Sequence, residues 1–104
     1  MSDFREKVIA FIKSVPKGKV VSYGQVASAA GSPRAARQVG GILRASSDTE
    51  KLPWWRVVND KGIISIKGNW VVTKETQKYL LEKEGIVVSK DFAVDMEKYR
   101  YSPN

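Results

Sequence analysis

No cysteine and no histidine occur among the 104 residues of this chain. The first absence excludes disulfides, a thiolate nucleophile and any sulfur-ligated metal. The second removes the side chain best suited to proton transfer near neutral pH, and with it the Ser-His and Cys-His nucleophile systems; together they remove the usual zinc ligand sets. No metal or other cofactor is expected. Acidic groups are scarce as well: 11 Asp and Glu against 18 Lys and Arg leave a formal charge of +7. A surface of that sign favours a polyanion, nucleic acid first, with solubility alone as the other reading of the charge. Long apolar runs are missing too. The opening MSDFREKVIAFIK alternates charged with apolar residues and resembles neither a membrane span nor a signal peptide. A soluble, cytoplasmic protein without a membrane partner is expected, nucleoid-associated if bacterial. The length favours one domain over residues 1–104 with one modest core, which 42% hydrophobic residues suffice to build. A monomer is the expectation.

What is present reads as short helices with turn signals between them. Asp3 and Glu6 have the spacing of a capping box, and Phe4, Val8, Phe11 and Ile12 follow at helical intervals until Pro16 stops the run. Gly18 to Val21 reads as an extended connector. Ser22 and Gln25 repeat the capping pattern ahead of a second helix, Tyr23 to Ala30, which Gly31 ends. Ser32 as N-cap with Pro33 at the first helical position starts a third helix carrying Val39, Ile42 and Leu43 and fading near Ala45. Two short helices flanking a Gly31–Ser32 turn outline a helix-turn-helix. ASSDTEKL, from Ala45 to Leu52, is polar without period and reads as a loop. RVVNDKGIISI holds two β-rich runs around a turn and predicts a wing-like hairpin. Thr73 caps a fourth helix with Tyr79, Leu80 and Leu81, Gly85 ends it, and Ile86 to Val88 reads as a short strand. The tail from Lys90 shows apolar anchors without a period.

Two stretches stand out chemically. On the third helix Arg34, Arg37 and Arg44 supply cations at intervals of three and seven, while Ala35, Ala36, Gly40 and Gly41 leave the backbone between them almost bare. Each helix-interior glycine costs about 1 kcal/mol against alanine. Close approach of another body would offset that cost; tight packing inside the domain is the alternative. Arginines cannot be buried unpaired, so the face suits a nucleic-acid groove, with phosphate contacts from basic groups and small residues permitting depth. The second stretch is PWWR, Pro53 to Arg56, with two of the three tryptophans side by side. Each indole has a large apolar body and an N–H that needs a partner when buried.

The run GKVVSYGQVASAAGSPRAARQVGGILR, then PWWRVV and later EKEG, resembles the DNA-binding domain of O6-alkylguanine-DNA alkyltransferases, and specifically the alkyltransferase-like proteins. The similarity covers roughly Phe4 to Gly85, with an ungapped register from Tyr23 through Arg56. Repair enzymes of that family read Pro-Cys-His-Arg, and Trp54 stands where their cysteine accepts the alkyl group; alkyltransferase-like proteins commonly read Pro-Trp-His-Arg. The resemblance implies a mostly helical α+β fold, a single winged helix-turn-helix-like domain of the alkyltransferase C-terminal type. It implies a protein that binds double-stranded DNA containing O6-alkylguanine through the minor groove, flips the damaged nucleotide and flags it to nucleotide excision repair proteins without repairing it. Chemistry agrees on the last point, because an indole offers neither a thiolate nor a usable lone pair.

By the same resemblance Tyr23 presses on the target phosphate and Arg37 fills the gap in the stack. The basic and small-residue face of the third helix itself makes Ser32, Arg34, Ala35, Ala36, Gly40 and Arg44 the expected DNA contacts. Trp54, Trp55, Arg56, Val57, Lys67 and Glu84 surround the alkylguanine pocket, Lys67 where relatives carry a basic residue and Glu84 where repair enzymes orient the relay histidine. Trp55 replaces that histidine, and Ser46 stands where repair enzymes usually have asparagine. The competing reading is a winged-helix regulator recognising sequence in the major groove. Ala35, Ala36 and Gly40 are too short to read base edges, which argues against it. Carboxylate catalysis by Asp60, Glu82 and Glu84 lacks any spacing that implies convergence.

Overall fold

α1, Asp3–Ser14, forms because Val8, Ile9 and Ile12 fall on one face, and these three are its buried residues. The computed structural model describes residues 3–65 and 73–103. Asp3 lies inside the first turn of α1, not before it. The chain then turns at Gly18 and enters β1, Val21–Ser22, where the sequence suggested only an extended connector. α2, Tyr23–Ala29, begins with the expected capping box: the Ser22 hydroxyl accepts from the Gln25 N–H, and the Gln25 side chain accepts from the Ser22 N–H. Gly31, at a φ of +92°, reverses the chain after it, a conformation that favours glycine.

α3 departs from expectation at both ends, running Ala36–Glu50. Ser32 is not its N-cap. Residues 32–35 form a turn closed by the Ala35 N–H on the Ser32 carbonyl, and Ala35 occupies the cap with no side-chain hydrogen bond. At the other end the helix continues through most of the polar stretch read as a loop. Ser46 is fully buried there and accepts from Arg5 Nη2 at 3.0 Å, while Glu50 pairs with Lys13 of α1 at 3.4 Å. Partners on α1 therefore hold as helix a segment that has no apolar period. Lys51 ends it at a φ of +57°, in the left-handed conformation more usual for glycine.

A 3-10 turn, Trp54–Arg56, leads into β2, Val57–Val58. β2 pairs parallel with β1, Val21 opposite Val57 and Ser22 opposite Val58, so α2 and α3 are the crossover that a parallel pair requires. The predicted wing keeps its turn, and its arms gain further partners. Its Asn59–Gly62 turn forms, with Asn59 Oδ1 accepting from the N–H groups of Lys61 and Ile63 at 2.9 Å each. The Asn59 N–H donates to the Ile63 carbonyl at 3.0 Å across the two arms, beyond which the first joins β1 while Ile63 bridges antiparallel to Ala93. α4, Lys74–Lys83, starts at the expected Thr73 cap and stops at Glu84 before Gly85. Val88 makes a single antiparallel bridge to Val94 in place of the expected short strand. The tail, unpredicted, contains α5, Met96–Tyr99, whose first turn is capped by Asp95.

Two cores result. The first joins α1, α2 and α3 to Leu52, Val57 and Val21; the second gathers Val20, Val58, Ile64, Leu81, Ile86, Val88, Val94 and Tyr99. The strand pair is the partition between them. Consecutive strand residues face opposite sides, so Val21 and Val57 serve one core while Val20 and Val58 serve the other. The mostly helical α+β architecture agrees with the sequence reading.

Candidate nucleic-acid interface

The partition continues into PWWR. Trp54 packs against the first core and Trp55 against the second, with ring centroids 5.8 Å apart at 87°. That edge-to-face geometry is favourable for adjacent indoles. It also separates their duties. The Trp55 N–H donates to Glu84 Oε2 at 2.7 Å, and its backbone carbonyl accepts from Gln77 Nε2 at 2.9 Å. Gln77, 1% exposed in α4, spends its second donation on the Val57 carbonyl at 3.0 Å. It thus ties α4 to the turn, a role that nothing in its local sequence announced.

Glu84 is the centre of this cluster. Its carboxylate accepts the Gly18 N–H at 2.9 Å, the Trp55 N–H, and a fork from Arg56 through Nε at 3.1 Å and Nη2 at 2.7 Å. Arg56 Nη1 donates to the Val15 carbonyl at 2.9 Å, and its guanidinium lies 5.4 Å from the centroid of the Trp55 ring. The Arg56 and Glu84 side chains are only 15% and 8% exposed. Burial alone would raise the Glu84 pKa, but Arg56, the Gly18 N–H and the Trp55 N–H outweigh it and hold the carboxyl below its ordinary value. The stabilisation from a depressed carboxyl is complete above the unfolded pKa, about 4.3, and is lost as pH falls towards the folded value. Urea unfolding followed from pH 6 down to pH 3 is expected to show stability falling with acid, and Glu84→Gln is expected to flatten part of that fall.

The exposed face of α3 is built differently. Arg37, Gly40, Gly41 and Arg44 follow at i, i+3, i+4 and i+7, one stripe of the helix. Arg34, Arg37 and Arg44 are exposed and make no ion pair among the described residues. A side chain added at Gly41 would meet nothing within 4 Å, and one at Gly40 would only touch the Tyr23 ring at 4.0 Å. Internal packing therefore does not require either glycine. Ser32 and Arg34 are exposed in the turn ahead of the helix, Ala35 and Ala36 half-exposed at its start.

Tyr23, the first residue of α2, is half-buried against the first core beside this stripe. Burial pushes its phenol above the ordinary pKa, against a smaller opposing pull from Arg44. The hydroxyl stays protonated and can donate to an anionic oxygen.

Of the residues assigned to the pocket by resemblance, Trp55, Arg56 and Glu84 are brought together, with their polar atoms committed to one another. Val57 is buried in β2, and Trp54 shares the first core with Tyr23. Lys67 lies outside the described residues. Ser46 is buried in α3 against Arg5 and not in a loop before the turn. Among the described residues no cluster of Asp and Glu is placed to hold a metal ion.

Comparison with known proteins gives a consistent picture. The family model for the 6-O-methylguanine DNA methyltransferase DNA binding domain matches residues 3–86. A DNA base-flipping protein of Vibrio parahaemolyticus is 43% identical over 103 residues, covering 99% of this chain and 100% of its own. Alkyltransferase-like protein 1 of Schizosaccharomyces pombe is 33% identical over 107 residues, covering 99% and 98%. The crystal structure of S. pombe Atl1 in complex with damaged DNA containing O6-carboxymethylguanine superposes with a TM-score of 0.87 at 33% identity, over 99% of this chain and 98% of that one.

Proposed function

The chain belongs to the alkyltransferase-like family, and from that premise we propose that it senses O6-alkylguanine in duplex DNA without removing the alkyl group. The stripe of Arg37, Gly40, Gly41 and Arg44 carries the reading. It pairs unpartnered cations with a backbone left bare for no internal reason, as a helix pressed into a groove requires. The start of α3 beside Arg34 has no side-chain cap, so its first-turn N–H groups suit an anionic oxygen. Tyr23 donates to the target phosphate, Arg37 enters the stack, and Trp54 walls the pocket for the extruded base. The alkyl group stays on the guanine, since Trp54 has no nucleophile to accept it, and the marked site passes to nucleotide excision repair.

Equilibrium binding at fixed salt to two duplexes differing only by one O6-methyl group tests this reading. Tighter binding of the alkylated duplex is expected, with the alkyl group recovered intact after prolonged incubation. Equal affinities would sink the sensor, and stoichiometric loss of the methyl group would overturn the noncatalytic assignment.

Gly41→Ala separates fold from function. With open space beyond the new methyl group, the substitution is expected to stabilise the protein by about 0.5–1 kcal/mol while weakening binding to every duplex. Thermal unfolding and titration at one salt concentration read the two effects. A variant more stable and equally tight would show that the bare stripe does not meet DNA.

A further inference from the structure

Residues 87–103 lie beyond the segment matched by the family domain, yet they reach back to the start of α2. Arg100 bridges parallel to Val20, on the residue preceding β1, and the Tyr101 N–H donates to the Val20 carbonyl at 2.8 Å. The Val20 N–H in turn donates to the Tyr99 carbonyl at 2.9 Å. This main-chain ladder brings two side groups to Gln25. Arg100 Nη1 donates to Gln25 Oε1 at 3.0 Å, and Gln25 Nε2 donates to the Tyr101 carbonyl at 2.5 Å. Gln25 Oε1 is the atom that closes the capping box by accepting from the Ser22 N–H, at a long 3.4 Å. The ring of Tyr101 sits 6.3 Å from that of Phe11 and rests on the first core, so the ladder is anchored on α1 as well.

We propose that the 99–101 segment is a brace for base flipping, and that Arg100 is a positioning residue for Tyr23. Resting on the lesion-binding reading, the idea follows from the order of the chain. Tyr23 is the first residue of α2, directly after the N-cap Ser22, and its ring packs against the first core. A phenol that must push on one phosphate needs a fixed helix start, because a misplacement of about 1 Å removes much of its effect. Ser22 is buried and paired with Val58, but the capping bond that Gln25 Oε1 accepts is long, at 3.4 Å. Here the acceptor of the box is held from outside by a guanidinium and its amide by a carbonyl, both supplied by residues more than seventy positions later. Such wiring stiffens the N-terminal turn of α2 without touching DNA. Gln25 is more than a local cap; it is the junction at which the tail controls the flipping helix.

Arg100→Ala tests the proposal, with Val88→Ala as a control that loosens the second core without touching Gln25. Three readouts are used: amide hydrogen exchange at Gly24 and Gln25 in the free protein, affinity for the paired duplexes with and without O6-methylguanine, and the fluorescence of 2-aminopurine placed at the target position. Arg100→Ala is expected to speed exchange at both amides and cut the preference for the alkylated duplex by roughly tenfold, the scale of one charge-assisted hydrogen bond. The 2-aminopurine signal should fall while the salt dependence of undamaged-DNA binding is unchanged. Val88→Ala, at a comparable fall in Tm, should keep the preference. Arg100→Lys should recover part of it. An Arg100→Ala protein with full preference and full 2-aminopurine signal would overturn the brace alone, as would a loss shared equally with Val88→Ala. A wild-type protein without preference would instead overturn the lesion-binding reading, and the brace with it.

Discussion

Glu84→Ala is expected to lower the unfolding free energy by about 3–5 kcal/mol, the range for removing one partner of a buried ion pair. The carboxylate serves the Arg56 fork, the Trp55 indole and the Gly18 N–H at once. Its loss leaves a guanidinium only 15% exposed with the Val15 carbonyl as its remaining hydrogen-bond acceptor among the described residues. Two further donors lose their acceptor. In a domain of this length the expected fall in Tm is about 15 °C or more. Glu84→Gln should cost less, since an amide oxygen still accepts from two of the donors, and the double replacement Arg56→Met with Glu84→Leu should recover part of the loss because no charge is then stranded. Urea denaturation of the four proteins measures these costs, and adding the single variants Arg56→Met and Glu84→Leu completes a double-mutant cycle for the pair. A cost below about 1 kcal/mol for Glu84→Ala would place the pair among ordinary surface ion pairs and remove Glu84 from the centre of the cluster.

The same cluster explains why two indoles stand together. Family register placed both indoles at the alkylguanine pocket but gave a duty only to Trp54, with Trp55 standing in place of a histidine. In the structure Trp55 keeps the donation to Glu84 with an N–H that does not titrate, and packs its half-buried ring against the second core. The turn is therefore locked whether or not chemistry is done there. Trp54, on the opposite side of the partition, is held edge-to-face by its neighbour.

What was legible in the chain divides mainly along the range of the interactions, the local exceptions being Asp3, which lies inside α1, and Ser32, which closes a turn instead of capping α3. The Ser22–Gln25 capping box and the Thr73 cap are local and were read correctly from spacing. The Arg37, Gly40, Gly41 and Arg44 stripe is likewise a property of one helix. The extension of α3 through Ser46 was not legible, because a serine becomes a helix-interior contact only when Arg5, 41 residues away, donates to it. Nor was the parallel pairing of Val57 with Val21, which gives the first arm of the wing a strand partner far away in the chain. α5 is four residues long, too short to show a period, and its Asp95 cap is the one signal that could have found it. Gln77 and Gln25 follow the same rule, their importance lying wholly in carbonyls distant in sequence.

Arg37→Ala is expected to cut affinity for the alkylated duplex by about 10- to 100-fold and affinity for the undamaged duplex far less. Arg37 lies one residue into α3, exposed, with no ion pair among the described residues to hold it on the protein surface. A planar guanidinium in that position can stack where a base has left and bond to its unpaired partner, a contact worth about 1–3 kcal/mol that exists only after flipping. Arg44, seven residues on, provides the contrast. It sits near Tyr23 on the same stripe, and as a phosphate contact it would contribute to every duplex alike. Arg44→Ala should therefore weaken both duplexes by the same factor and reduce the slope of log affinity against log salt by about 0.9. Arg37→Ala should leave that slope nearly unchanged while removing the preference for damage. Titrations of both variants over 50 to 200 mM salt, roughly the span in which such slopes are well measured, distinguish them. Should Arg37→Ala and Arg44→Ala lose affinity equally for damaged and undamaged DNA, Arg37 is a second phosphate contact and the residue filling the stack must be sought elsewhere on the α2–α3 face.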